Sequence, residues 1–198
     1  MAETKENRIE AEVRQHILQL LKVGTIPYDE LVEAVLDFFV DEHDEEPLTE
    51  CANRLVPLLY DTFVEEQSMW PKETDCDRLD KAFAVLENEG IVARQDFTCC
   101  QTCGHSEIWD EITEATKTKK VLGYTFYHHQ DLEWIVEIGE CLLAFGATSE
   151  NENDALRVGE IICKTLRKEG FNVQWDGSLN TRILIKDIDW KMRLAPRS

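Results

Sequence analysis

At Gly90 the hydrophobic pattern of this chain changes period, and that change limits what the chain can fold into. Ahead of it, apolar residues recur at helical spacing. Ile9, Val13, Ile17, Leu20 and Leu21 predict a helix ended by Gly24, a residue suited to a C-terminal cap. A second helix opens near Pro27, a residue tolerated in a first turn, and runs through Leu31, Val35, Leu36 and Phe39 to about Val40. The third spans Pro47 to Met69, with Leu48, Leu55, Leu58, Leu59 and Phe63 inward and a distortion expected at Pro57. After Trp70-Pro71, Thr74 or Asp75 caps a fourth helix, with Leu79, Ala82, Phe83 and Leu86 on one face and Gly90 closing it. Residues 1–90 thus read as a bundle of about four helices.

Beyond Gly90 the texture is mixed. Ile91 to Phe97 reads as a strand, the cysteine-rich segment after it opens a helix through about Thr116, and Val121 to His128 reads as a second strand. Asp131 to Ile138 is a short turn of helix or a loop, and Cys141 to Phe145 can form a third strand. Asn153 to Lys168 is an amphipathic helix capped by Gly170. Phe171 to Trp175 and Arg182 to Ile185 then pair across a loop containing Asp176-Gly177. The resulting order, β-α-β-β-α-β-β, is the ferredoxin-like order plus one strand, and it suits a mostly antiparallel sheet with helices on one face. The expectation is an α+β protein, with an acidic helical region at 1–90 and a sheet domain at 91–198. No internal repeat or low-complexity linker separates the two, so they are expected to pack as one unit. At 198 residues and 43% hydrophobic content, the chain can bury one good core or two small ones.

Charge narrows the class of partner. The formal net charge is −19, with 23 acids against 8 bases in residues 1–90 and 17 against 13 in residues 91–198. Between Lys22 and Arg54 stand ten acids and no base, ending in Asp41-Glu42-His43-Asp44-Glu45-Glu46. Such a surface repels phosphate backbones, since duplex binding depends on Lys and Arg displacing counterions. Direct nucleic-acid binding by this half is therefore not expected. The acids either form a solvated, solubility-giving face or meet a basic protein partner.

No apolar run approaches the roughly 18 residues that cross a bilayer, and MAETKENRIEAEVRQ reads as a charged helix rather than a signal peptide. A soluble, cytoplasmic protein without a membrane partner is expected. Seven cysteines, an odd number scattered along the chain, argue against a disulfide framework and for reduced thiols.

Three of those cysteines stand together in Cys99-Cys100-Gln101-Thr102-Cys103-Gly104-His105. Cys100 and Cys103 have the two-residue gap of a zinc knuckle, in which Gly104 would give the tight turn. A knuckle supplies two ligands and a closed structural site needs four. The others would come from His105, Cys99, or the adjacent His128 and His129 at the end of the next strand, because sequential strands often neighbour one another. The candidate metal ligands are Cys100, Cys103, His128 and His105, with zinc as the possible cofactor. Alternatively the cysteines act as compact hydrophobes at a buried helix start, as free thiols commonly do. Cys51, Cys76, Cys141 and Cys163 stand singly. The five tryptophans read as packing residues; phosphate-binding glycine loops, a nucleophile elbow and a His-Glu-x-x-His run are absent.

Three resemblances bear on these segments. Strand, Cys-x-x-Cys and helix resemble the dithiol of thioredoxin-like proteins over about 25 residues. That fold sets a cis-proline opposite the dithiol, and this chain has no proline between Pro71 and Pro196, which argues against it. Arg78 to Arg94 resembles the last helix and first wing strand of a winged-helix domain; the acidic helices ahead of it would make any such shape an interaction scaffold. Trp70-Pro71, Thr74 to Leu79, Ala93 to Gly104, Gly123 to His128, Ala144 to Ala147 and Trp175-Asp176-Gly177 together resemble an uncharacterised, mainly bacterial protein family of unknown function. This resemblance covers about residues 70–193, implies no catalytic assignment, and leaves the N-terminal helices outside.

The chain therefore reads as a non-enzymatic interaction or regulatory protein with a structural or metal-holding cysteine cluster. The alternatives are a metal- or thiol-dependent enzyme centred on Cys100, Cys103 and His128, and an acidic inhibitor that mimics nucleic acid. The last predicts carboxylates spaced along one exposed face.

Overall fold

The computed structural model describes residues 5–197, which form two compact units. The first runs to Lys72 and takes in the tail from Lys191; the second is Glu73–Trp190.

In the first unit α1 (Lys5–Val23), α2 (Leu31–Phe39) and α3 (Glu45–Glu66) turn the helical stripes read from the sequence inward, with one correction: Leu58, expected inward on α3, is exposed, because it lies one position off the buried Leu55 and Leu59 face. Val13, Ile17, Leu31, Val35, Leu55 and Val56 sit in one core. The helix α3 continues through Pro57, although proline removes one in-helix hydrogen bond. Two contacts tie the tail to this unit. Tyr60 Oη donates to the Ala195 carbonyl at 2.7 Å, and Arg197 pairs with Asp61 while donating to Tyr28 Oη at 2.8 Å. The segment has no periodicity to announce it.

The second unit begins with α4 (Asp75–Asn88), whose start is a capping box: Thr74 Oγ1 accepts from the Asp77 amide at 3.3 Å, and Asp77 accepts from the Thr74 amide at 2.7 Å. This helix clusters with the sheet rather than with the helices before it, because Leu79, Phe83 and Leu86 are buried as the chain turns into β1. β1 (Ile91–Arg94), α5 (Gln101–Thr116), β2 (Gly123–Phe126), α6 (His129–Ile138), β3 (Cys141–Ala147), α7 (Glu152–Lys168), β4 (Asn172–Gln174) and β5 (Ile183–Lys186) follow. The strands lie in the order β1-β2-β3-β5-β4, with β1 and β2 parallel and every other pair antiparallel.

The fold is α+β with a mostly antiparallel sheet, and two details depart from the sequence reading. β1 lies directly beside β2, where a ferredoxin-like arrangement splits its parallel strands with another between them. Helices also cover both faces. Val92, Tyr124, Phe126 and Ala144 pack with Ile108 and Ile112 of α5. On the opposite face Gly123 lies against Val158 of α7, and Gly159 of α7 lies against the rings of Trp175 and Phe145. Burial follows this division: β2 is buried at every position, whereas β4 alternates exposed and buried.

Candidate metal centre

The thiol site is built on the loop that joins β1 to α5. Two non-glycine residues there, Asp96 (φ 47°) and Thr98 (φ 61°), adopt left-handed backbone, a conformation that persists when surrounding contacts determine it. Those contacts come from the end of β2. The Phe97 amide donates to the Tyr127 carbonyl at 2.9 Å, the His129 amide donates to the Thr98 carbonyl at 3.0 Å, and His129 Nδ1 lies 2.9 Å from Asp96 Oδ1. The loop is thereby tied to the neighbouring strand at the point where α5 begins.

Cys100 is the N-cap residue of α5, Cys99 precedes it, and Cys103 falls in the first turn. The winding of that turn brings the three sulfurs within 4.8 Å of one another, with Cys99 Sγ and Cys103 Sγ 3.6 Å apart. Cys99 is exposed, and Cys100 and Cys103 are partly so. Gly104 adopts helical backbone in α5 rather than a knuckle turn, and its missing side chain has another purpose. A Cβ there would run into the ring of Phe126, so glycine lets the start of α5 lie flat on the sheet.

Electrostatically the three thiols are not equivalent. The backbone amide of Cys103, then the neighbouring thiols, lower the pKa of Cys100. Cys103 is pushed up to about 11, because its proton is shared first with Cys99 and then with Cys100. One negative charge is therefore accommodated easily and further ionisation is resisted, as expected of like charges in close contact. A cation among the sulfurs reverses that balance, since thiolate is the ligand form and metal binding displaces its protons.

Of the sequence-derived candidates, Cys100 and Cys103 come together, and Cys99 joins them. His105 lies elsewhere, its Nδ1 3.4 Å from Tyr124 Oη and its Nε2 3.4 Å from Gln101 Nε2; burial lowers its pKa. His128 caps α6: its Nδ1 accepts from the Asp131 amide at 3.3 Å, and Asp131 also pairs with Arg182. Burial is the main cause of a lowered pKa at His128 as well, opposed by the Asp131 carboxylate. The imidazole that reaches the thiol loop is that of His129, one residue beyond the proposed ligand. The sequence offers His128 and His129 together as ligand sources and puts His128 first, because a strand end fixes neither where pairing stops nor which way the next side chain turns. Among the described residues, the three cysteines form the one group of three or more metal-ligating side chains close enough to share an ion.

A family model, Domain of unknown function (DUF6891), matches residues 5–194. The chain belongs to the DUF6891 family. The match extends well ahead of the resemblance at residues 70–193 and takes in α1, α2 and α3, so the acidic helices are part of the DUF6891 unit rather than an addition to it. No curated protein and no solved structure matches the chain.

Within this DUF6891 protein, every carboxylate from Asp29 to Glu66 is exposed. The one base in that stretch, Arg54, is held by Glu10 at 2.8 Å. Among the described residues, no helix is long and apolar enough to cross a membrane.

Proposed function

We propose that this DUF6891 protein is a cytoplasmic, non-enzymatic interaction or regulatory protein that holds a metal ion, zinc first, on Cys99, Cys100 and Cys103. The observation that carries the metal reading is the approach of three sulfurs to within 4.8 Å of one another at a helix start. Three thiolates satisfy a borderline-soft ion such as Zn²⁺ and leave a fourth position for water or for a group from a partner. Supporting the non-enzymatic reading is the engagement of His128, the base a thiol enzyme would want beside Cys100, in the cap of α6. The continuous run of exposed carboxylates on α2 and α3 favours a basic protein as partner and disfavours nucleic acid.

Elemental analysis of the purified full chain, with thiol counting in the native and unfolded states, tests the metal. About one zinc per chain is expected, with its uptake releasing protons and shielding Cys99, Cys100 and Cys103 from alkylation. A C99S/C100S/C103S variant should fold and purify without metal. If the wild type takes up no zinc and its three loop thiols alkylate at the same rate with and without the ion, the metal reading fails.

A further inference from the structure

At the end of β2 away from the thiol loop lies a cleft of about 770 Å³, within the range of small-molecule sites. Val121, Val158 and Ile161 give it an apolar floor, with Leu122 at its side. Its cations come from two elements. Lys119 and Lys120 end the densest basic run of an otherwise acidic chain, Lys117-Thr118-Lys119-Lys120, and Arg157 projects from α7. Lys119 is engaged, donating to the Glu87 carbonyl at 2.9 Å and pairing with the Glu87 carboxylate. Among the described residues, the exposed side chains of Lys120 and Arg157 have no hydrogen-bond or ion-pair partner. Two carboxylates also line the cleft: Asp154 accepts from Ser149 Oγ at 2.6 Å, and Glu89 stands exposed at the end of α4.

We infer that this cleft binds a small phosphate monoester, with Lys120 and Arg157 taking the phosphate and the apolar floor taking the body of the ligand. Two cations from different elements match a dianion better than a monoanionic carboxylate, and the planar guanidinium adds paired donors to phosphate oxygens. Asp154 and Glu89 are acceptors suited to hydroxyl or amino groups on the ligand's body. The site is independent of the thiol centre: it involves other residues at the other end of β2.

Isothermal titration of the full chain with AMP, ribose 5-phosphate and 1-naphthyl phosphate, each beside its phosphate-free parent, tests the inference and identifies the body preferred. At least one ester should bind roughly tenfold or more tighter than its parent. R157E and K120E should each reduce that binding by a similar factor with unchanged circular dichroism. K164E, the same charge change on an exposed position of α7, should leave it intact. If none of the three esters binds, if parents bind as well as esters, or if K164E weakens binding as much as R157E, the inference is overturned.

Discussion

Seven cysteines of one chain occupy two kinds of environment, and the contrast between them shows what a thiol's surroundings decide. Cys51, Cys76, Cys141 and Cys163 are buried at separate places, and each serves as a small apolar group. Burial pushes the thiols of Cys51, Cys141 and Cys163 up, for Cys141 well above the ordinary value, because a thiolate there would lose its hydration. Cys99, Cys100 and Cys103 lie near the surface at a helix start, where the Cys103 backbone amide and the neighbouring sulfurs lower the pKa of Cys100. The same side chain is inert packing in one setting and, in the other, one of three sulfurs placed close enough to share an ion. The difference comes from backbone geometry: a left-handed loop, a helix start and a glycine that lets the helix settle on the sheet.

The strongest way to break this contrast is to disturb the geometry without touching a sulfur. In Gly104→Val, the new side chain meets the ring of Phe126, which is fully buried among the residues packed beneath α5 and has no room to move aside. A loss of about 2–3 kcal/mol is expected from overpacking, read by chemical denaturation, together with reduced zinc uptake. Unchanged stability would mean that α5 does not rest on Phe126 as described.

A paired substitution sharpens the same contrast at a smaller scale. Cys141→Ser buries a hydroxyl at a position with no solvent exposure and should cost about 1–3 kcal/mol. Cys103→Ser, tested in metal-free protein, should change stability by less than about 0.5 kcal/mol, because its side chain is partly exposed and packs no core. Equal losses in the two denaturation curves would erase the distinction between the buried cysteines and those of the thiol loop.

Much of this geometry could be read from the chain, and the parts that could not share a cause. Helical spacing locates α1 to α4, and the cap of α4 is legible to within one residue, as Thr74 or Asp75, because its residues are local. Strand β2 was visible too, but its partner was not: periodicity specifies a face and leaves the neighbour open. The sequence did contain a sign that helices cover both faces of the sheet near β1. Ile91, Val92 and Ala93 are consecutive and all buried, the pattern of a strand enclosed on two sides. The sequence leaves α6 between turn and helix because its cap is a histidine, an uncommon choice, and because the helix has ten residues. In the thiol site the sulfurs were found by their spacing. The positions of His105 and His128 depended on contacts with Tyr124, Asp131 and Arg182, which are distant or unsignalled in sequence.

The smallest expected effect is at His129, which joins the start of α6 to the thiol loop. Its amide donation to Thr98 is backbone and survives substitution, so His129→Ala removes only the contact with Asp96 Oδ1 at 2.9 Å. The imidazole is about half exposed, and water can replace the lost contact. A global loss of no more than about 0.5–1 kcal/mol is therefore expected. The local consequence is more telling: with Asp96 released, the left-handed conformations at Asp96 and Thr98 lose one of the contacts that determine them, and amide exchange should accelerate across residues 96–100 while the core of α5 keeps its protection. Zinc affinity should fall along with that protection, because a loop that samples other conformations presents three aligned sulfurs for a smaller share of the time. Exchange that stays slow with affinity unchanged would show that the helix start alone arranges the thiols, and would move the origin of the contrast from the β2 contacts to α5 itself.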